Sequence, residues 1–146
     1  MPSAPNEHAS NSSVQRLAEA EILDVLQERW NVRFEDGPQI DRRVDLDGFV
    51  DGANPICVEA WAHQGRAKGG QKGKVMRDFC KLLLVEKLLG KPCRKIFVAC
   101  DSEALAFLNN SWMGHFADEF GIERIVVDVS GETRQRIRNA QQKQRR

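Results

Sequence analysis

The sequence predicts an α/β domain with a mixed central sheet and helices on both faces. Three observations predict it. Two strand-like stretches, 43–50 and 56–62, are joined by Asp51-Gly52 and Asn54-Pro55, which is hairpin chemistry. Strand and helix patterns then alternate along the rest of the chain. The later strands are short and apolar, as in KIFVAC at 95–100, the composition of a strand covered on both sides.

Taken in order, residues 1–12 (MPSAPNEHASNS) are small and polar with two prolines and predict a disordered tail. Ser12 or Ser13 is placed to cap a helix that runs to about Trp30. Val14, Leu17, Ala18, Ile22, Val25, Leu26 and Trp30 approximate its apolar face. Asn31 to Glu35 reads as a short strand, broken at Asp36-Gly37-Pro38. The hairpin follows. His63 to Gly73 holds four glycines and three basic residues and reads as a loop. A helix is predicted from about Gln71 to Leu89, ended by Gly90 and Pro92. After the strand at 95–100, Asp101 or Ser102 is placed to cap a further helix to about Phe120, with Gly121 just past its end. Residues 122–129 (IERIVVDV) give another strand, and 131–146 a basic C-terminal helix or tail. The order is α-β-β-β-α-β-α-β-α, with residues 13–130 as a single domain.

Composition narrows the function classes. With 146 residues, 41% hydrophobic and 29% charged, the chain has the make-up of a soluble globular domain. A formal net charge of +1 excludes a bulk electrostatic attraction to nucleic acid and leaves only a local basic face. Four cysteines, at 57, 80, 93 and 100, form no CxxC pair. They read as reduced, buried small hydrophobes of a cytoplasmic protein. No apolar run has the length of a signal-peptide core or of a membrane span, so neither secretion nor membrane insertion is expected.

The chemistry-bearing segment is 44–81. Side chains of a strand alternate faces, so Cys57, Glu59, Trp61 and His63 share one face of the second hairpin strand. Asp45, Asp47 and Asp51 share a face of the first. A five-residue loop sets Glu59 opposite Asp47, and a three-residue loop sets it opposite Asp45. Either register brings carboxylates from both strands within reach of one cation. Asp45, Asp47 and Asp51 are also what the solvated face of a half-exposed hairpin would carry. Glu59 is harder to explain that way. It lies inside ICVEAWA, a run of buried character, and a buried carboxylate needs a partner or a metal. On the following helix, Gln71, Lys74, Asp78 and Lys81 fall within an arc of about 80° at 100° per residue. This stripe either is the solvent face, with Asp78 paired to Lys74 or Lys81, or faces the carboxylates and supplies a catalytic lysine.

With these residues in hand, the pattern resembles the PD-(D/E)XK nuclease superfamily, the fold of many restriction enzymes and Holliday-junction resolvases. The resemblance covers about 90 residues. It implies a restriction-endonuclease-like αβββαβ core between Ser13 and Cys100, with an αβα extension after it. It implies that Asp47, or alternatively Asp45, and Glu59 hold Mg²⁺, with Mn²⁺ as a substitute. Glu21 is the nearest match to the acidic residue that some members carry on the first helix. The family lysine belongs two residues after Glu59, where this chain has Trp61. Some members move that lysine to the following helix, which points to Lys74 or Lys81, and Gln71 matches a glutamine seen there in some branches. The implied activity is metal-dependent DNA endonuclease action, in restriction, defence or repair. The alternative is a catalytically inactive nuclease fold that binds DNA or a partner protein. A homodimer is expected by analogy with enzymes that cut both strands.

Around this site, Arg66, Lys68, Lys72 and His63 are candidates for phosphate contacts, in a glycine-rich loop that lacks the Walker pattern. Trp61 reads as packing in preference to a base-stacking platform. The C-terminal Arg134, Arg136, Arg138, Lys143, Arg145 and Arg146 read as a backbone-binding arm or a soluble end.

Overall fold

The computed structural model describes residues 7–35, 41 and 43–144. Its elements are helix α1 (Glu7–Trp30), strands β1 (Gly48–Val50) and β2 (Ile56–Trp61), helix α2 (Gly69–Leu89), strand β3 (Arg94–Ala99), a 3₁₀ helix (Ser102–Leu108), helix α3 (Trp112–Glu119), strand β4 (Ile122–Val126) and helix α4 (Gly131–Gln144). The four strands form one open mixed sheet in the order β1-β2-β3-β4. β1 runs antiparallel to β2, and β2, β3 and β4 are mutually parallel. No helix among the described residues is long and apolar enough to cross a membrane.

Strand alternation sorts the sheet into two cores. Cys57, Trp61, Phe97 and Ala99 face α2, the 3₁₀ helix and α3, and pack on Val75, Phe79, Leu82, Val85, Leu108 and Ala117. Val58, Ala60, Ala62, Ile96 and Val98 face the other way, onto Ala18, Ile22 and Leu26 of α1 and Ile137 of α4. Both faces of β2 and β3 are therefore covered, which is why these strands are apolar almost throughout. Burial of each large side chain, such as Phe79 or Leu82, stabilises this arrangement by roughly 1.5–3 kcal/mol.

Several boundaries differ from the sequence expectation, each for a local reason. The strand expected from Arg43 shrinks to Gly48–Val50. The Ala60 N–H that a longer β1 would engage donates instead to Asp47 Oδ2 at 2.8 Å, so a side chain ends the ladder. The strand expected at Asn31–Glu35 reduces to one antiparallel bridge, with Glu35 N–H donating to Phe49 O at 2.7 Å. The expected break at Asp36-Gly37-Pro38 lies outside the described residues. Helix α1 begins at Glu7, before the expected Ser12–Ser13 cap, because extending a helix already held by packing costs little. Of the two readings of the C-terminal segment, the helix is the one formed, and it buries Ile137 and Ala140.

The single helix expected from Asp101 to Phe120 is two. Asp101 caps the 3₁₀ helix by accepting from Glu103 N–H at 3.1 Å. Asn110 then takes a positive φ of 55°, which stops the run, and Ser111 caps α3 through Gly114 N–H at 3.2 Å. Gly114 is required there by space. A Cβ on it would stand 1.9 Å from Leu108 O. Gly114→Ala is therefore expected to cost roughly 1–3 kcal/mol by overpacking, read as a lower urea midpoint. An unchanged midpoint would show that the α3 turn does not need this approach.

Candidate active site

The β1–β2 register fixes the site. Gly48 pairs with Val58, Phe49 with Cys57 and Val50 with Ile56. Continuing it by one residue sets Asp47 against Glu59, the arrangement of the five-residue loop. Glu59 is 2% exposed, on the face of β2 that α2 covers. From α2, Lys81 Nζ stands 2.8 Å from Glu59 Oε1. This contact has the length of an ion pair without the direction of a hydrogen bond. Oε1 thus remains a buried oxygen with no aligned donor among the described residues.

One turn back along α2, Asp78 Oδ2 pairs with Nζ of Lys74, which lies a further turn back, at 2.7 Å. Asp78 is buried, within the same face as Val75, Phe79 and Leu82. The polar stripe of α2 therefore is not its solvent face; that face carries Arg77, Cys80, Leu84 and Leu88. Of the two roles open to the stripe, the structure turns Lys81 to the carboxylates and keeps the Lys74–Asp78 pair beside it.

A further carboxylate joins from α1. Gln15 Nε2 donates to Ala62 O at 3.3 Å and ties the helix to the end of β2. Glu19, one turn on, enters the field of Asp47, Lys74, Asp78 and Lys81. Glu21, the residue singled out from the sequence, points elsewhere. It accepts from Ser130 N–H at 3.1 Å and from Thr133 Oγ1 at 3.2 Å, and so anchors the start of α4. A helical wheel carries a signal that separates the two. Glu19 lies about 60° from the centre of the Ala18–Ile22–Leu26 stripe, and Glu21 about 100°.

Four carboxylates (Glu19, Asp47, Glu59 and Asp78) thus share one electrostatic field with two ammonium groups (Lys74 and Lys81). The protonation equilibria reflect the imbalance. Burial, then the Asp47 charge and a carboxyl–carboxyl hydrogen bond with Asp47, push Glu59 up to about 9 against the pull of Lys81. Burial, then Asp47, raise Glu19 to about 7. Burial alone would lower Lys81, but contact with Glu59 and the charges of Asp78 and Asp47 outweigh it and hold its ammonium above the ordinary value.

The other predicted site residues have different surroundings. Asp45 is exposed and precedes the ladder. Gln71 Oε1 accepts from Lys68 N–H at 2.7 Å and caps α2. His63 is buried, stacked on Trp61 at 4.8 Å between centroids, with Nε2 3.3 Å from Arg66 O. Trp61 is buried against Phe97, which is the packing role. Lys72 Nζ lies 5.8 Å above the Phe107 ring, and Arg66 and Lys68 are exposed. The loop that bears these groups is clamped where it leaves β2. Gly65 N–H donates to Asp101 Oδ2 at 2.7 Å, and Gln64 and Gln141 exchange two hydrogen bonds of 2.9 and 2.8 Å. In α4, Arg134 and Arg136 pair with Asp128 and Glu132, Arg138 borders the Gln64–Gly65 cleft, and Arg145 and Arg146 lie outside the described residues.

The donor set suits a hard divalent cation. Such ions take carboxylate oxygens, and Mg²⁺ commonly uses only one or two of them. No three His, Cys, Asp or Glu side chains stand together as a ready-made cage among the described residues. The unaligned Oε1 of Glu59, beside Asp47, is the feature that a cation would complete. No family model, curated protein or solved structure matches this chain.

The raised Glu59 and Glu19 values make stability depend on pH in a definite direction. The folded state keeps protons that the unfolded state releases near 4.5, so this contribution is full below that value. It is lost as pH rises through about 7 for Glu19 and about 9 for Glu59. Urea unfolding in chelator is expected to show falling stability from pH 5 to about 9, with a shallower fall in Glu59→Gln. Parallel curves for the two proteins would remove Glu59 as the cause.

Proposed function

We propose that this protein is a metal-dependent phosphodiester hydrolase acting on DNA, of the PD-(D/E)XK kind, with its lysine supplied by α2. The observation that carries the reading is the buried Glu59 beside Asp47, with Lys81 Nζ 2.8 Å from Glu59 Oε1. A lysine delivered from the next helix answers the presence of Trp61 where the family lysine would stand. The element order agrees in part: a helix, an antiparallel strand pair with the Glu35–Phe49 bridge where the third strand of the αβββαβ core would stand, a helix and a parallel strand.

Asp47 and Glu59 would hold Mg²⁺ or Mn²⁺, with Glu19 as the further carboxylate nearby. When bound, the cation supplies Lewis acidity toward a phosphate oxygen and acidifies a water. The chain's own part is to place and discharge. Asp47 stays oriented because Oδ2 accepts from the Ala60 amide. Glu59 would release its proton on holding a cation, which is the linkage expected for a buried carboxyl. Lys81, now beside Glu59 Oε1, would be placed to donate to the attacking water or to the charge that develops on phosphate. Lys74 holds Asp78 and serves the field more than the contact. The exposed Arg66 and Lys68, on a loop fixed by Asp101 and Gln141, are placed to meet a phosphate backbone. Two copies would cut two strands.

One observation favours a second reading. Trp61 fills the lysine position of the strand with a buried ring, as in a nuclease fold that has lost catalysis and kept DNA or a partner protein as ligand. Plasmid cleavage separates the two. Wild type with Mg²⁺ or Mn²⁺ is expected to nick or linearise DNA and to stop in chelator. Asp47→Ala and Glu59→Ala should lose at least ~10²-fold in rate, and Lys81→Ala a similar factor, with Lys74→Ala losing less. Absence of cutting by wild type on supercoiled, single-stranded and branched DNA would reject the hydrolase in favour of the inactive fold.

A further inference from the structure

A pair of thiols lies on the same sheet, away from the groups just assigned. Cys57 Sγ and Cys93 Sγ are 3.4 Å apart. Cys57 is in the middle of the β2 ladder and fully buried. Cys93 is only partly buried and belongs to the short connection from Gly90 to the start of β3. A disulfide needs about 2.0 Å between sulfurs, so closure asks for a little over ~1 Å of movement. Cys57 is held within the ladder, whereas Cys93 stands in a connection outside it. Cys80 and Cys100 differ from this pair: Cys80 is exposed on α2, and Cys100 is buried with its sulfur against Gln64 Nε2 at 3.3 Å.

We propose that Cys57 and Cys93 form a reversible intramolecular dithiol–disulfide couple, in which Cys93 meets a low-molecular-weight disulfide and Cys57 resolves the mixed disulfide.

The surroundings of Cys93 fit the first role. Its backbone N–H donates to Glu86 Oε2 at 3.0 Å, and Lys95 Nζ pairs with the same oxygen at 2.6 Å. The ammonium of Lys95 thereby offsets the one carboxylate that would oppose a thiolate. The hydrogen bond that the Cys57 thiol donates to Cys93 holds the latter below the ordinary thiol range, and the same bond, with burial second, pushes Cys57 itself above it. A groove of about 490 Å³ opens beside this connection, bordered by Glu86, Lys87, Gly90, Lys91 and Pro92. Its lysines suit the carboxylates of a peptide disulfide such as glutathione disulfide.

The steps balance. The Cys93 thiolate attacks one sulfur of glutathione disulfide, an S–S bond forms to the protein, and one glutathione leaves as thiolate. Cys57 sulfur then attacks Cys93 Sγ as its proton passes to solvent, and the second glutathione leaves. Two protein thiols are oxidised by two electrons, and one disulfide is reduced to two glutathione thiols that take up the two protons. The product would tie β2 to the start of β3 and enclose all of α2 in a covalent loop. Neither thiol takes part in the hydrolysis proposed above.

The test uses the full reduced chain, incubated with glutathione disulfide, quenched with N-ethylmaleimide under denaturing conditions and read by intact mass and peptide mapping. Of the four thiols, two are expected to be lost within one chain, with a Cys57–Cys93 linked peptide. Cys93→Ser should slow that loss at least tenfold, and Cys57→Ser should accumulate a glutathione adduct at Cys93. Four alkylated thiols, an adduct confined to Cys80, or a disulfide between two chains would overturn the couple. The wild-type map decides the matter even where a cysteine variant fails to fold.

Discussion

Glu59 occupies a position that the packing of β2 would ordinarily give to an apolar side chain, on the face that also carries Cys57 and Trp61. Its carboxyl is held there beside Asp47 with too little compensation from Lys81. Two bare carboxylates 4 Å apart repel by about 4 kcal/mol at an effective dielectric of 20. That is a large share of the net stability of a domain this size. A proton on Glu59 relieves it, which is why burial and Asp47 push that carboxyl up, and a cation would relieve it as well under the proposed function. The Asp47 carboxylate is pinned by an amide of β2, and α2 brings in Lys81 and the Lys74–Asp78 pair.

The support around this pair comes from all three layers. α1 reaches the end of β2 through Gln15 and brings Glu19 in with it. The other face of the sheet holds α1 by burying Ala18, Ile22 and Leu26, and α4 is docked there through Ile137 and through Glu21. α4 in turn holds the loop after β2 through Gln141. A basic segment that looked like a loose end in composition is thus tied to the backbone two residues beyond Ala62. The proposed Cys57–Cys93 couple sits under the second half of α2, past Lys81, where its closure would tie β2 to β3 without entering the carboxylate cluster.

Much of this was legible in the sequence because parity is a strong constraint. Alternation along 56–62 assigned Glu59 and Trp61 to one face and Val58 and Ala60 to the other, and the two cores divide in that way. Helical spacing isolated Lys74, Asp78 and Lys81 as one stripe, and all three take part in the observed ion pairs, Lys74 with Asp78 and Lys81 with Glu59. The register was open between two loop lengths, because turn residues alone do not fix how many of them leave the ladder. The extent of β1 was not legible, since it is ended by a tertiary bond from Asp47 to Ala60. The break at Asn110 was not legible either, because apolar spacing continues across it and only the close approach of Gly114 to Leu108 demands the turn. Glu19 and Glu21 differ by their angle to the Ala18–Ile22–Leu26 stripe, a signal in the sequence that gains meaning only once that stripe is known to face the sheet. Gln71 fits the polar stripe by angle, but its place three residues after Lys68 gives it the cap of α2.

Under the proposed function, Asp47 and Glu59 form a carboxylate pair that exchanges a proton for a divalent cation. Calorimetric titration of Mn²⁺ near neutral pH, repeated in buffers of different ionisation enthalpy, measures that exchange directly. The account predicts binding with release of about one proton per ion, because Glu59 is protonated well above its ordinary value until the cation enters. Glu59→Gln should bind more weakly and release fewer protons, only those that Glu19 contributes. Absence of binding by wild type, or binding and proton release unchanged in Glu59→Gln, would contradict the account.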